Sequence, residues 1–199
     1  FYRHFGISPR GIASAIRINL SEGRGPLEGN GGSTITQQVA KLLCLGVPYN
    51  PKQWKSEADY ESDCRQGGIW RKLKEVPFAM AMEVKYSKEE ILTIYFNRAY
   101  LGAGARGFEA AAQRYFGISA NQVNPAQAAM LAGLLQAPSR YAPTKHYDKA
   151  KKRMELVIQS MVDVGYLTAA EAAALPDPRV DVRKRDDNLP TGTYFADWA

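Results

Sequence analysis

Apolar residues recur at helical spacing from Ile7 to Leu20 (Ile7, Ile12, Ala15, Ile16), and Ser8-Pro9 stands where an N-cap and first turn belong. This predicts a first helix. The pattern breaks over Ser21 to Gly32, where Gly23, Gly25, Gly29, Gly31, Gly32 and Pro26 make a loop. Ser33 or Thr34 can cap a second helix that runs to about Leu43. Residues 44 to 68 lose all periodicity: two prolines, clustered charges, both cysteines and a closing Gly67-Gly68 read as an irregular excursion. Helical spacing returns from Trp70 to about Tyr86, although Pro77 withholds a backbone donor and predicts a kink or a later start.

Ser87 with Glu90 has the form of a capping box for a helix ending near Asn97. Gly102, Gly104 and Gly107 punctuate the turn into a helix over Phe108 to Phe116. Pro125 to Gln136 is alanine-rich and helical, stopped by Pro138. Asp148 to Val164 lines up Met154, Val157, Ile158 and Met161, with Gly165 just past its end. Thr168-x-x-Glu171 caps a last short helix, and beyond Pro176 the chain turns charged and irregular, as a linker does. Little alternates with period two and no internal repeat is visible, so the predicted class is mainly α.

Length and composition narrow this picture. A chain of 199 residues fits one domain, with or without a trailing linker, and 45% hydrophobic content excludes a disordered polymer. A net charge of +6 points to anionic partners: phosphate groups, an acidic membrane surface or nucleic acid. No basic stripe with interleaved aromatics supports nucleic acid. The longest apolar run falls far short of the roughly 20 residues that span a bilayer. The start at Phe1, without Met or a signal peptide, reads as the cut end of a fragment. Cys44 and Cys64 form no C-x-x-C pair, and His4 and His146 are the only histidines, so no zinc site is expected. The two thiols are either free or joined, and a disulfide requires an oxidising compartment.

Three strings carry candidate chemistry. Gly31-Gly32-Ser33-Thr34-Ile35-Thr36-Gln37-Gln38, with Lys41 one turn on, is a glycine hinge entering a helix N-terminus. It reads as a capped helix with a polar face, or as a phosphate holder built from backbone N–H groups, the helix dipole and Lys41. It is no Walker loop, because the G-K-[ST] ending is missing. In Arg71-Lys72-Leu73-Lys74-Glu75, Arg71 and Lys72 share a helix face with Glu75. That is either a surface ion-pair cluster or a carboxylate oriented by cations that suit an anionic leaving group. Ile91 to Asn97, the following glycines and Tyr115-Phe116-Gly117 read as core and turns, with aromatics that also suit sugar stacking.

Together these strings resemble the glycosyltransferase family 51 domain of class A penicillin-binding proteins and monofunctional peptidoglycan polymerases. Phe1, His4 and Gly6 match the second half of the family's E-D-x-x-F-x-x-H-x-G. Gly31 to Gln38 reproduce G-G-S-T-I-T-Q-Q, and Arg71 to Glu75 are R-K-x-x-E. Ile91 to Asn97 approximate I-L-E-x-Y-L-N, and Ala129 to Pro143 match A-x-L-A-G-L-x-x-x-P-x-x-Y-x-P. Five ordered motifs cover nearly the whole chain.

The resemblance implies a lysozyme-like α-helical fold with a head lobe and a membrane-facing jaw. It implies that lipid II and the growing glycan strand are the substrates: the 4-hydroxyl of lipid II attacks a donor held on undecaprenyl diphosphate, giving a β-1,4 bond with inversion. Glu75 is then the second catalytic carboxylate. Lys41 and Lys72 hold the diphosphate, and Ser33, Thr34, Gln38, Arg71 and Asn97 complete the substrate-binding set. No cofactor is demanded, and a divalent cation, Mg or Mn, is left open. The bacterial cytoplasmic membrane and regulators of wall synthesis are implied partners, nucleic acid is not, and moenomycin is the family's inhibitor.

The chain also departs from the pattern. The family's general base, a Glu four positions before Phe1, is not in this chain, which as written is expected to be nearly inert. Thr93 and Gln127 replace family glutamates, and the segment from Cys44 to Gly68 is longer than the usual connector. Arg65 is the candidate for an arginine that contacts the donor diphosphate. Because the family works on the outer face of the cytoplasmic membrane, in the periplasmic space, a Cys44–Cys64 disulfide is expected. The domain is assigned to residues 1–176, and 177–199 to a linker whose Tyr194-Phe195-Ala196-Asp197-Trp198 resembles the junction before a transpeptidase; a single membrane helix is expected upstream. The S-x-x-K and K-T-G strings of a transpeptidase are missing, and the S-x-N form at Ser119-Ala120-Asn121 stands without them. A lytic glycan-cleaving enzyme of lysozyme-like fold and a non-catalytic lipid II-binding scaffold are the alternatives.

Overall fold

A computed structural model describes residues 1–26, 28, 31–65 and 69–180, with the side chains of Ala58, Arg65 and Ile69 outside the description. Among the described residues there are ten α-helices and no β-strand, only a lone bridge between Tyr100 and Arg106. The predicted mainly α class is what the chain adopts. Two compact units divide it, one from Phe1 to Ala99 and a second that begins at Tyr100.

In the first unit, α1 (Pro9–Ser21) starts at Ser8, whose hydroxyl accepts the Gly11 N–H at 3.1 Å. α2 (Ile35–Leu42) is capped by Thr34 in a reciprocal box: Thr34 Oγ1 accepts the Gln37 N–H, and Gln37 Oε1 accepts the Thr34 N–H at 3.0 Å. Val39 and Ala40 on α2 are buried, and the helix packs on α4 (Ile69–Lys85) and α5 (Lys88–Arg98). α4 continues through Pro77 instead of starting after it. The proline leaves the Leu73 carbonyl without its helical donor, but both residues are exposed, so water can replace the bond.

The excursion predicted after Cys44 is more ordered than expected. It holds a 3₁₀ turn (Cys44–Gly46) and a helix, α3 (Glu57–Arg65). α3 is highly charged and lacks an apolar stripe, so no periodicity announces it. Tertiary ties hold it instead. Cys44 and Cys64 form a disulfide with Cα atoms 5.2 Å apart. Tyr60 packs edge-on to Trp54 at 5.0 Å, and its hydroxyl donates to the Val47 carbonyl. The closing Gly67-Gly68 lie outside the described residues, as do Gly29 and Asn30 of the earlier loop.

The second unit is built on an apolar cluster that includes Leu101, Tyr115, Met130, Leu131, Leu134 and Met154. Gly102 (φ +87°) turns the chain where a Cβ would lie 2.5 Å from the Pro138 carbonyl oxygen, so only glycine fits. α6 (Phe108–Phe116) ends at Gly117 in the left-handed conformation. α7 (Pro125–Leu134) is buried against α9 (Pro143–Asp163). Pro138 does not merely stop α7 but opens a one-turn helix, α8 (Pro138–Tyr141). α9 begins at Pro143, ahead of the expected Asp148, with a break at His146 that hides the first turn from the periodicity. α10 (Ala169–Ala174) carries the predicted Thr168–Glu171 capping box. Residues 177–180, at the start of the expected linker, lie against α9 through a Tyr147 hydroxyl bond to the Pro178 carbonyl at 2.9 Å and a Lys151–Asp177 ion pair. Residues 181–199 are outside the description.

Candidate active site

The R-K-x-x-E string lies in the first two turns of α4, and its carboxylate is not on the surface. Glu75 is only 2% exposed, on the face that also buries Ala79 and Met82. Helical spacing brings both cations to it: Arg71 Nε donates to Oε1 at 2.9 Å and Lys72 Nζ donates to Oε2 at 2.6 Å. Burying a lone carboxylate costs several kcal/mol, and a pair of charge-assisted bonds offsets that cost here. Lys72 reaches further, donating to Ser33 Oγ at 2.5 Å. Residues predicted separately from two motifs therefore meet: Ser33 just before α2, with Arg71, Lys72 and Glu75 on α4.

Lys72 is the most exposed of the three α4 residues, its side chain 46% exposed against 22% for Arg71 and 3% for Glu75. An incoming anion therefore meets a cation whose position is set by a buried carboxylate and a hydroxyl. Preorganised charge of this kind stabilises an anionic leaving group without reorganising when the bond breaks. Beside Arg71 lies a cleft of about 340 Å³ whose walls include Trp54, Tyr60, Cys64 and Lys74.

The other predicted site residues are arranged differently. Thr34 is buried and its hydroxyl is engaged internally, donating to the Gly6 carbonyl at 2.6 Å while capping α2. Gln38 is exposed on α2 and accepts the Tyr95 hydroxyl at 3.2 Å. Burial raises the Tyr95 pKa, so that hydroxyl keeps its proton. Lys41 occupies the last turn of α2, about 10 Å along the axis from the Ser33 end. Asn97 is exposed near the end of α5. Arg65 ends α3, but its side chain lies outside the described residues. Among the described residues no group of three or more His, Cys, Asp or Glu is placed to hold a metal ion.

Sequence reading missed a second polar centre. Glu83 Oε1 accepts from Thr36 Oγ1 at 2.6 Å, Lys88 Nζ at 2.7 Å and the Gly6 N–H at 3.1 Å. Burial alone would push the Glu83 pKa up, but the bonds from Lys88, Thr36 and Gly6 outweigh it and hold the carboxyl below its ordinary value. Burial and the neighbouring Lys88 likewise lower the His4 pKa. The one signal in the sequence was an acid next to Met82 on the inner face of an amphipathic helix, a place where an unpaired charge is not tolerated.

The sequence comparisons bear on this arrangement. The transglycosylase family's sequence model matches residues 1–162. The chain is 36% identical over 197 residues to penicillin-binding protein 1A of Aquifex aeolicus (strain VF5), which covers 99% of this chain and 24% of that protein. It is 36% identical over 188 residues to penicillin-binding protein 1B of Vibrio cholerae serotype O1, covering 92% of this chain and 22% of that one. The crystal structure of penicillin-binding protein 1A from Haemophilus influenzae aligns over 47% of this chain and 15% of its own, at 33% identity and a TM-score of 0.43. The chain thus spans about a quarter of the length of the relatives it matches. With the family match reaching from Phe1 through most of α9 and such identity over nearly the whole chain, this protein belongs to the transglycosylase family, the glycosyltransferase domains of class A penicillin-binding proteins.

Proposed function

We propose that this domain is a peptidoglycan glycosyltransferase that polymerises lipid II into β-1,4-linked glycan strands. The observation that carries the reading is the buried Glu75 gripped by Arg71 and Lys72, with Lys72 bridging to Ser33 at the start of α2. In the proposed reaction the 4-hydroxyl of lipid II attacks the anomeric carbon of the donor, and the bond from that carbon to the undecaprenyl diphosphate breaks with inversion. The electron pair leaves on the diphosphate, where Lys72 is the accessible cation, and the hydroxyl proton passes to a general base that family resemblance puts before Phe1. Glu75 orients the cations near the anomeric centre. Ser33, Thr34, Gln38 and Asn97 are polar substrate partners, and Lys41 joins Lys72 in holding the diphosphate. Arg71 serves substrate binding through its hold on Glu75.

Substrate and location are supported by the surface of α4. Trp70, Leu73, Pro77, Met80 and Val84 are exposed and fall on one side of that helix by their 3- and 4-residue spacing. The exposed Lys74 and Lys85 flank the stripe. An apolar stripe edged with cations suits the interface of an anionic membrane. No helix among the described residues is long and apolar enough to cross a membrane. We place the domain on the outer face of the bacterial cytoplasmic membrane, with residues 1–176 as the catalytic domain and 177–199 leading to a transpeptidase. The disulfide accords with an oxidising space.

The test is polymerisation of labelled lipid II by the full-length protein, with and without moenomycin. A moenomycin-sensitive ladder of glycan chains is expected. Folded protein that gives no ladder overturns the reading: release of fragments from finished glycan would then mark a lytic enzyme, and binding of lipid II without turnover a scaffold.

A further inference from the structure

We infer that Glu83 and Lys88, which belong to no predicted site, are positioning residues for the reaction proposed above: they lock the Phe1–Gly6 segment and the N-terminus of α2 onto α4. The inference rests on that reading for its kinetic consequence and on geometry for the lock itself.

The lock joins three stretches of chain far apart in sequence. A single carboxylate oxygen, Glu83 Oε1, collects donors from all three: the Gly6 N–H, the Thr36 hydroxyl on α2, and Lys88 Nζ in the first turn of α5. Lys88 Nζ also donates to the His4 carbonyl at 2.6 Å and stands 4.6 Å above the Phe1 ring. The Glu83 side chain is 4% exposed and that of Lys88 17%. Gly6 is held from both sides, because its carbonyl accepts the Thr34 hydroxyl. Any side chain here would be strained. Its φ is +71°, and a Cβ would lie 3.1 to 3.2 Å from the backbone of Ala79 and Met80 on α4.

The consequence for the site follows from adjacency. Thr36 and Thr34 fasten the first turn of α2, and Ser33, immediately before that turn, accepts from Lys72. The hydroxyl that anchors Lys72 therefore has its place set by Glu83. The Phe1–Gly6 segment is set the same way, through Gly6, His4 and Phe1. A buried network of this type acts as a unit, because losing one member leaves the others unsatisfied in a low dielectric. An apolar cluster would join these helices at a lower desolvation cost, but it would not prescribe one hydrogen-bonded register. Glu83 Oε1 and Lys88 Nζ are both engaged within the protein, so the effect on turnover is indirect: groups that act together in the transition state drift apart.

Three variants of the full-length protein test this. In Glu83→Gln and Lys88→Ala, kcat for lipid II polymerisation should fall about 10- to 100-fold, the size expected when reacting groups are misplaced by about 1 Å, with KM changed less than about threefold. Lys88→Arg, which can still donate to both Glu83 and the His4 carbonyl, should recover most of the rate. Amide hydrogen exchange supplies a readout that needs no activity: in Glu83→Gln the Gly6 amide and the first turn of α2 should exchange faster, while α7 stays as in the parent protein. Wild-type kcat in both loss variants overturns the inference. So does a loss that vanishes once rates are corrected for the folded fraction, and so does unchanged exchange at Gly6. An inactive parent protein that shows the expected exchange pattern would refute the polymerase reading and leave the lock standing as a structural feature, so the two failures are distinguishable.

Discussion

The unit that begins at Phe1 and the unit that begins at Tyr100 are both helical, yet they bury different chemistry. The second unit's interior is Leu101, Met130, Leu131, Leu134, Met154 and small alanines, with Tyr115 spending its hydroxyl on the Leu101 carbonyl at 2.8 Å. The first buries Asn19, Thr34, Thr36, Gln37 and Glu75, and every buried polar or charged residue among the described ones falls in it. Apolar packing is non-directional and tolerant of small shifts, whereas each buried polar group must meet a partner at a set distance. The first unit thus gives up some of the stability of a dry interior for a defined placement of Ser33, Lys72, Glu75 and Glu83. The second supplies packing.

Substitutions can break this contrast or sharpen it. The largest effect should come from Glu75→Gln, which keeps the shape but removes the charge that holds Arg71 and Lys72. Polymerisation should fall 100-fold or more, about the scale of losing an acid–base or orienting group, with the helical circular dichroism signal intact. Activity near the parent's would remove Glu75 from the mechanism. Leu134→Ala, in the apolar interior, should do the reverse. It should lower stability by about 2–5 kcal/mol in denaturant titration, with little change in rate per folded molecule. A large rate loss there would mean that the second unit is not merely packing.

Reduction of Cys44–Cys64 should be next. The bridge closes a loop of sequence separation 20, and its chain-entropy contribution is about 3 kcal/mol. A midpoint shift on reduction measures it, and the loss should be confined to the first unit. Lys72→Ala should weaken donor binding by about 1.5–3 kcal/mol, as expected for a charge-assisted contact. Unchanged donor affinity would place Lys72 outside the binding set. The smallest effect is a pH dependence. Because Glu83 is held below the ordinary carboxylate value of 4.5, its contribution is present above that pH and is lost as the pH falls through the lower folded-state value. Acid titration of the first unit should show this loss, and Glu83→Gln should flatten it.

Elements announced by their own residues were legible. Ser8 before Pro9, the Ser87–Glu90 and Thr168–Glu171 boxes and the glycines around α6 each satisfy a helix end with local atoms, and each helix starts where its cap stands. α3 was not legible, because it is a charged helix without an apolar stripe, held by tertiary ties such as its disulfide and the aromatic packing of Tyr60. The early start of α9 was hidden for a related reason, the break at His146. In the site, the Arg71–Glu75 and Lys72–Glu75 contacts follow from helical spacing alone. Their burial does not, since spacing cannot say which face of α4 is covered.

What the sequence determined by itself was local and periodic: the helical class, most helix starts, the glycine at position 6 and the cluster of charges on one face of α4. The tertiary structure decided which of those charges lose contact with water. It put Glu75 out of water and Lys72 at the surface, gave Lys72 the Ser33 hydroxyl, and collected Gly6, Thr36 and Lys88 on Glu83. The physical reason is range. A cap or a helical face is fixed within about one turn of backbone. The state of a buried charge depends on whichever distant segments fold over it, and in this chain those segments are separated by tens of residues.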